Sequence, residues 1–594
     1  MKKQQLSAIS YVNASLSFIF GVSVFVFFGY FYTYHLAYQE QYQMFLFTSD
    51  YMAETTHRVG GLSEYLSRFL TQFYYTPLHG ALIIATLLTL MQRQLLSAAL
   101  HLAGREKNGW ASLTFVPSIF YWILLCDENY MLTGVISVIM ALSAFLWSRS
   151  VRQARVRAAC SLIMIPLLYA LAGGAVVVFG ILFIIAEAVK GGLSIRQRCL
   201  TAAGNALLLA LSPLSAQYFF PQYPLAKLLT GADYYRYQSV FPFSLLLLWL
   251  IIPAIVAGFR LLPAVKKGWR LWLPAGMQGV LLVFLAVLGV SGAADWKKEE
   301  VMRYDYYVRQ GNWEHIISMA DREAPASPLS VAFLNLALCR QGLMPDRMFH
   351  YFQNGAEGLL PSFVRDFSIP LMAGEVYYHL GFINTAQRLA FEAMEAIPDF
   401  QRSARSIKRL AETSLINGDY EVSRKYLRIL LHTLYYSEWA AETLSCLHDE
   451  ERIEANPEWA GLRKYRTKTD FLFSEKEKDM MLGLLLGQDP SNRPAYEYLM
   501  AYCLLTKDME RFSLYYPLGR DIHYRTIPKS YQEALIYIWG LTNNTTAGVP
   551  YAVSDEVKRQ VEDYRRIYVS YPAAEQMLKS RFSGTYWYYL HYRK

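Results

Sequence analysis

The sequence predicts an all-α protein: a polytopic membrane helix bundle of about nine spans over residues 1–294, then a soluble α-helical repeat domain over residues 295–594. Three observations carry that prediction. Of the 594 residues, 54% are hydrophobic and only 18% are charged, with a mean hydropathy of +0.16, whereas soluble domains run near 25% charged. Nearly all long apolar runs precede Asp295. The basic excess is confined to the same half: residues 1–295 hold 20 Lys/Arg and 10 Asp/Glu, leaving 37 and 38 for the remainder. Such a distribution points to membrane topology and argues against a nucleic-acid surface.

Crossing about 30 Å of hydrocarbon takes roughly 20 residues. Stretches of that kind fall near 11–31, 76–97, 110–126, 130–147, 158–173, 174–190, 199–218, 243–262 and 271–292. The third and fourth, and the fifth and sixth, read as tight hairpins. The first run ends in FGYFYTYHLAYQ with no small-residue cleavage site, so a retained helix is expected.

Orientation follows from the positive charges, since short Lys/Arg-rich loops stay cytoplasmic. With the N-terminus inside, the cytoplasmic segments carry 16 Lys/Arg, including Arg149, Arg152, Arg155, Arg157 and Lys190. The outer loops hold only Arg58, Arg68, Lys227 and Arg236. An odd number of spans then sets everything after Asp295 on the outer, periplasmic side of a cytoplasmic (inner) membrane.

Two outer loops are long, residues 32–75 and 218–242. In the first, Leu62, Tyr65, Leu66, Phe69, Leu70 and Phe73 recur at helical spacing after Gly60-Gly61, opposite Ser63, Glu64, Ser67 and Arg68. That pattern predicts an amphipathic helix lying at the membrane interface. The second loop is rich in Tyr and Pro.

From Trp296 onward the pattern becomes short amphipathic helices joined by Gly or Asn turns. RQGNWEHIISMAD, YYHLGFINTAQRLAFEAMEAIPD and LAETSLINGDYEVSRKYLRILLHTL each set a glycine (Gly311, Gly381, Gly418) ahead of a helical apolar stripe. This resembles the tetratricopeptide pattern, in which stacked helix pairs build the core. The aromatic tail TYWYYLHYRK is read as a packed terminal helix in preference to a membrane-surface segment.

Chemistry is sparse. The six cysteines form no CxxC pair and no zinc spacing, and no Walker loop, GxGxxG after a strand, GxSxG elbow or HExxH occurs. Gly173-Gly174 and Gly180 are read as helix-packing residues. What stands out is a set of acids on the outer face, because ionisable groups near membrane depth are costly. Glu40 follows the first span by about two helical turns. Asp127 and Glu128 form the turn of the third-to-fourth hairpin. Asp50, Glu54 and Asp233 are further candidates.

A long outer loop with an acid just past the membrane and an interfacial helix, then a second acid in a short outer loop, resembles the layout of GT-C type membrane glycosyltransferases. Members of that class take a sugar from a polyprenyl-phosphate donor on the outer face, and some carry tetratricopeptide tails. By this resemblance Glu40 corresponds to the first-loop acid and Asp127 to the second, with Glu128 beside it. The class usually shows an acidic pair in the first loop, whereas Glu40 stands between Gln39 and Gln41. Through GGLSEYLSRFLTQFYYTP the chain also looks like an uncharacterised bacterial multi-pass family.

The resemblance implies a carboxylate as general base for an acceptor hydroxyl. It implies cations for the departing lipid phosphate, for which Arg58, Lys227 and Arg236 are the outer-face choices, and stacking from Tyr235 and its neighbours. A divalent metal ion is the one cofactor this leaves open. The repeat domain would engage a protein acceptor or partner. Two alternatives stand: a non-enzymatic membrane-anchored repeat scaffold for envelope protein assembly, and a transporter. The second is weakened because Glu187 is the only acid inside a span and Lys190 sets it near a cytoplasmic end.

Overall fold

The computed structural model describes residues 2–190, 192–232, 234, 243–263, 272–364, 368–397, 402–467, 471–570 and 574–593. Among them every regular element is helical. The chain divides into two compact units: Met1–Glu299 with Pro398–Ala404 and His432–Tyr435, and the remaining residues from Glu300 to Lys594.

In the first unit the central element is the helix Pro77–Ala103, packed against Lys2–Val26, Thr133–Ser150 and Phe243–Gly258. Its buried positions Ala81, Ala85, Leu88, Met91, Leu95, Ala98 and Ala99 recur three or four residues apart. The small residues among them let neighbouring backbones come close. One polar thread runs through this apolar core. The Ser17 hydroxyl donates to Gln92 Oε1 (2.7 Å), and Gln92 Nε2 donates to Thr114 Oγ1 (2.9 Å). Each buried polar group is thereby satisfied, as an apolar setting requires.

Among the described residues five helices are long and apolar enough to cross a membrane: Tyr11–Phe31, Pro77–Ala103, Thr133–Ser150, Ala154–Lys190 and Ile195–Phe219. A sixth is added if Gly279–Ala293 and Trp296–Arg309, bent by 63°, count as one span. Length and composition thus show five or six such helices, and the full nine expected from hydropathy are not shown. The stretch 154–190 contains two helices separated by the 3-10 turn Gly173–Ala175, where Gly173 has φ +67°. Phe115–Leu124 and Phe243–Gly258 have only 10 and 16 residues. Tyr121, Trp249 and Ile252 on them are at most 4% exposed, while Phe243, Leu247, Leu250 and Ile251 stand 44–72% exposed, so the second of them carries apolar side chains on its outward face as well as its buried one. Likewise Phe18, Tyr218, Val280 and Val287 stand 60–84% exposed, a density of outward apolar side chains that suits lipid better than water.

The expected interfacial helix exists as Gly61–Thr71, and its faces are assigned in reverse of a soluble helix. Ser63, Ser67, Arg68 and Thr71 are buried, while Leu66 is exposed and Tyr65, Phe69 and Leu70 are half-buried.

The second unit is built from antiparallel helix pairs. Gly381 (φ +97°) joins Ile369–Leu380 to Ile383–Ala396, and Gly418 (φ +85°) joins Ala404–Asn417 to Tyr420–Leu430. Gly311 (φ +64°) precedes Trp313–Arg322, which Asn312 caps by accepting from the His315 N–H. In all three the left-handed turn is what demands glycine. Pro328–Arg340, apolar on every side, is the core element, with residues 330–339 all buried. The aromatic tail is a packed terminal helix: Tyr586–Tyr592 buries Tyr586, Trp587, Tyr588 and Tyr589.

Candidate functional site

The first unit gathers the residues expected on the outer face into two clusters. The first begins where the chain leaves Tyr11–Phe31. Residues 35–45, which take in the helix Tyr34–Gln41 apart from its first residue, are all buried, because this segment is threaded between two other pieces of backbone. Gln39 Nε2 donates to the carbonyls of Glu128 (2.9 Å) and Tyr130 (3.2 Å), and the Tyr42 hydroxyl donates to the Glu128 carbonyl as well. Tyr32 donates to the Cys126 carbonyl and accepts from the Asp295 N–H, each at 3.1 Å. The N–H groups of Tyr34 and His35 donate to the Glu299 carboxylate at 2.7 and 3.1 Å. Burial pushes His35 down to about 3, so it is a neutral spacer beside that carboxylate.

The segments bearing Glu40 and Asp127–Glu128 meet through Gln39 and Tyr42. Glu128 is 9% exposed and binds the Lys298 ammonium at 2.6 Å. Asp127 is exposed, and its Oδ1 accepts from the Asn129 N–H at 2.9 Å, the usual work of an Asp in a turn. Glu40 is 5% exposed. Its charge, after burial itself, helps hold the Tyr435 phenol above its ordinary value. Tyr435 stacks on Tyr75 at 4.5 Å, and the Met44 and Phe47 N–H groups donate to the Arg402 and His432 carbonyls.

The second cluster is cationic. Arg58 and Arg68, 8% and 6% exposed, share the carboxylate of Glu64: Arg58 Nη2 lies 3.5 Å from Oε1, and Arg68 Nη2 contacts the same oxygen. Two guanidinium groups on one carboxylate leave a net positive charge under cover. Burial opposes the charge on Arg68, but Glu64 and then Tyr51 outweigh it. Arg58 lies over the Tyr234 ring at 5.6 Å, and the Tyr234 hydroxyl donates to the Val59 carbonyl at 2.7 Å. The Nε groups of Arg58 and Arg68, and Nζ of Lys227, are buried with no hydrogen-bond acceptor among the described residues. Tyr235, Arg236 and Asp233 lie outside the described residues. Asp50 and Glu54 are exposed on Ser49–Thr56, and Glu187 pairs with Arg149 and Arg157, each at 2.6 Å.

Glycines set this cluster in place. Gly60 (φ +74°), Gly173 (φ +67°) and Gly231 (φ +71°) come from three segments that touch backbone to backbone; a Cβ on Gly231 would sit 2.7 Å from Gly173 Cα. The pair Gly173-Gly174 is thus a packing device that docks the loops bearing Arg58 and Lys227 to one another. Gly231→Ala is expected to destabilise the protein by about 1–3 kcal/mol through backbone strain. Thermal unfolding of the detergent-solubilised chain checks this, with Gly258→Ala as control, since a Cβ there meets nothing within 4 Å. Equal melting of both variants would remove the packing role.

Sequence reasoning missed Gln39, Tyr42, Tyr51 and Lys298. Of the missed contacts, only the Glu64–Arg68 pair carried a legible signal, its four-residue spacing on a helix. Among the described residues no group of three His, Cys, Asp or Glu is placed to hold a metal ion.

Fold and site together define an all-α protein with several helices able to cross a membrane and a buried cationic cluster beside them. The chain belongs to DUF6057, a family of unknown function, whose family model matches residues 7–593. No curated protein and no solved structure matches it.

Proposed function

We propose that this protein is a membrane glycosyl- or oligosaccharyltransferase of GT-C type that uses a polyprenyl-phosphate-linked sugar at the outer face of a cytoplasmic membrane. The observation that carries this reading is the Arg58–Glu64–Arg68 cluster. Buried guanidinium groups with N–H donors to spare suit an anionic phosphate, which accepts paired hydrogen bonds in the plane of the fork. Lys227, with its buried amine, adds a further cation from the loop docked alongside. As the sugar leaves, its anomeric carbon gains positive charge, and the acceptor hydroxyl must lose its proton. Glu40, the acid that the resemblance assigns to the first loop, is the carboxylate proposed to take that proton, and it lies 5% exposed in the segment that meets the 126–130 turn.

The outward placement of the second unit draws support from two features. Sixteen Lys/Arg against four favours the N-terminus inside. Residues 295–299 bond to the 32–35 and 126–130 segments, so the chain leaves the bundle at the end bearing the first long loop. The basic cluster Arg149, Arg157 and Lys190 belongs to the other end, beyond the 18-residue helix Thr133–Ser150, about 27 Å away. The helix pairs turned at Gly381 and Gly418 suit a tetratricopeptide-like domain that engages a protein acceptor. The scaffold alternative is favoured by one observation, that Asp127 and Glu128 are both tied into structural contacts.

The test is complementation of a deletion strain, comparing envelope glycans and glycoproteins by mass spectrometry at matched protein levels. Glu40→Gln is expected to lower product about 10²–10⁴-fold, the usual loss for a missing general base. Asp127→Asn is expected to restore it, because an amide oxygen still caps the turn. If both variants restore everything the wild type does, the transferase chemistry is wrong and the scaffold reading takes its place.

A further inference from the structure

A cleft of about 910 Å³ opens within the second unit, between Tyr496, the segment 513–531 and the helix Lys529–Asn543. Its size is at the upper end of ligand sites. Two properties of its walls are chemically specific. The first is aromatic content. Tyr496 and Tyr531 form the floor, and Tyr516, Tyr524, Trp539 and Tyr551 line the walls. Several of these rings are held by contacts of their own. Trp539 Nε1 donates to the Ala547 carbonyl at 3.0 Å. The Tyr524 hydroxyl donates to Glu497 Oε1 at 3.2 Å, with the Arg493 guanidinium 5.1 Å from its ring. Tyr516 stacks on Phe512 at 5.9 Å, and its carbonyl accepts from the Tyr496 hydroxyl at 2.9 Å. Tyr551 is 42% exposed at the rim.

The second property is charge of one sign. Arg520, His523 and Arg525 line the cleft, all exposed, and no Asp or Glu does. Rigid aromatic faces attract the C–H-bearing faces of sugar rings, whose hydrogens carry partial positive charge against the negative ring face. The arginines favour a ligand that also carries carboxylates or similar anions.

We propose that this cleft binds an acidic saccharide chain, a glycan with carboxylate-bearing sugar units. It is a separate site from the Arg58 cluster. The choice of saccharide over single-stranded nucleic acid, which also pairs aromatic and basic groups, rests on the outward placement of this unit proposed above.

The experiment is isothermal titration of the full-length detergent-solubilised protein with hexagalacturonate, maltohexaose, oligo(dT) and a poly-glutamate peptide. Hexagalacturonate is expected to bind at least tenfold more tightly than the other three, and to weaken as salt is raised. Trp539→Ala and the surface pair Arg520→Ala with Arg525→Ala are each expected to weaken it tenfold or more, and Glu40→Gln to leave it unchanged. The double arginine variant keeps the test decisive if Trp539→Ala fails to fold. Tighter binding of maltohexaose, oligo(dT) or poly-glutamate, no binding of any saccharide, or unchanged affinity in the arginine variant overturns the proposal. Since the readout is binding, it fails or succeeds separately from the transferase reading.

Discussion

Arg405→Ala is expected to destabilise the second unit by about 3–5 kcal/mol, the cost of leaving buried carboxylates without their cation. Arg405 is 6% exposed and bonds Asp305 through both terminal nitrogens, at 2.9 and 2.8 Å, and Glu375 at 2.8 Å. Glu375 also accepts from Arg409 at 2.6 Å, and Arg409 lies 3.4 Å from the centre of the Tyr378 ring. Burial works against the charge of Glu375, yet Arg409 and Arg405 outweigh it and hold the carboxyl far below its usual range. The group therefore stays ionised, and losing Arg405 leaves Glu375 to Arg409 and Asp305 to Arg309 at 3.3 Å, each buried carboxylate one cation short. Three helices meet here, Trp296–Arg309, Ile369–Leu380 and Ala404–Asn417, so the loss spreads across the unit. Chemical denaturation of the purified chain should show the lower midpoint. The double variant Arg405→Met with Asp305→Leu should recover much of the loss, because an apolar replacement removes the stranded charge. A variant Arg405→Ala as stable as wild type would mean that water already enters the network.

That network shows why a sequence yields some features and withholds others. The all-helical class was legible because apolar residues at positions such as Ala81, Ala85 and Leu88 repeat with the helical period. The turns at Gly311, Gly381 and Gly418 were legible because a left-handed residue leaves a local signature. The number of spans was not, since a short apolar helix such as Phe115–Leu124 or Phe243–Gly258 has the same composition as one long enough to cross a membrane. Pro328–Arg340 is the same ambiguity in the second unit. In the candidate site, hydropathy marked Asp127 and Glu128 as acids in a tight turn, but their engagement by Asn129 and Lys298 depends on residues up to 170 positions away. Gln39 and Tyr42 carry no pattern at all; each matters only because the 126–130 turn happens to lie opposite. Arg405 and Glu375 likewise pair over 30 residues, on different helices, with no spacing rule to announce them.

Raising the pH from 5 to 8 is expected to weaken the second unit, and Glu533→Gln is expected to abolish that dependence. Glu533 is 1% exposed on the helix Lys529–Asn543. Its Oε2 accepts from the Tyr586 N–H at 2.6 Å, its carbonyl accepts from Trp587 Nε1 at 2.9 Å, and its Oε1 is buried with no donor among the described residues. Burial pushes the carboxyl up to about 8, while the Tyr586 N–H and then Lys529 pull down and Asp346 pushes up. In the unfolded chain the same group titrates near 4.3. Between those values the folded state binds a proton that the unfolded state does not, so stability falls as pH rises, by up to about 1.4 kcal/mol per pH unit. Below the lower value both states are protonated and the full contribution is present; it is lost as pH passes through the upper one. The amide of Glu533→Gln keeps an acceptor for Tyr586 and never ionises. Its melting temperature should therefore overtake that of the wild type as pH climbs toward 8, with the two curves converging near pH 5. The terminal helix Tyr586–Tyr592 would be the first element to loosen, because two of its residues are bonded to Glu533 and ionisation must draw water to that carboxylate. Hydrogen exchange at the Tyr586 amide, faster at pH 8 in the wild type than in the variant after correction for intrinsic rates, locates the effect. If variant and wild type lose stability in parallel across this range, another group is responsible and Glu533 is ionised in the fold.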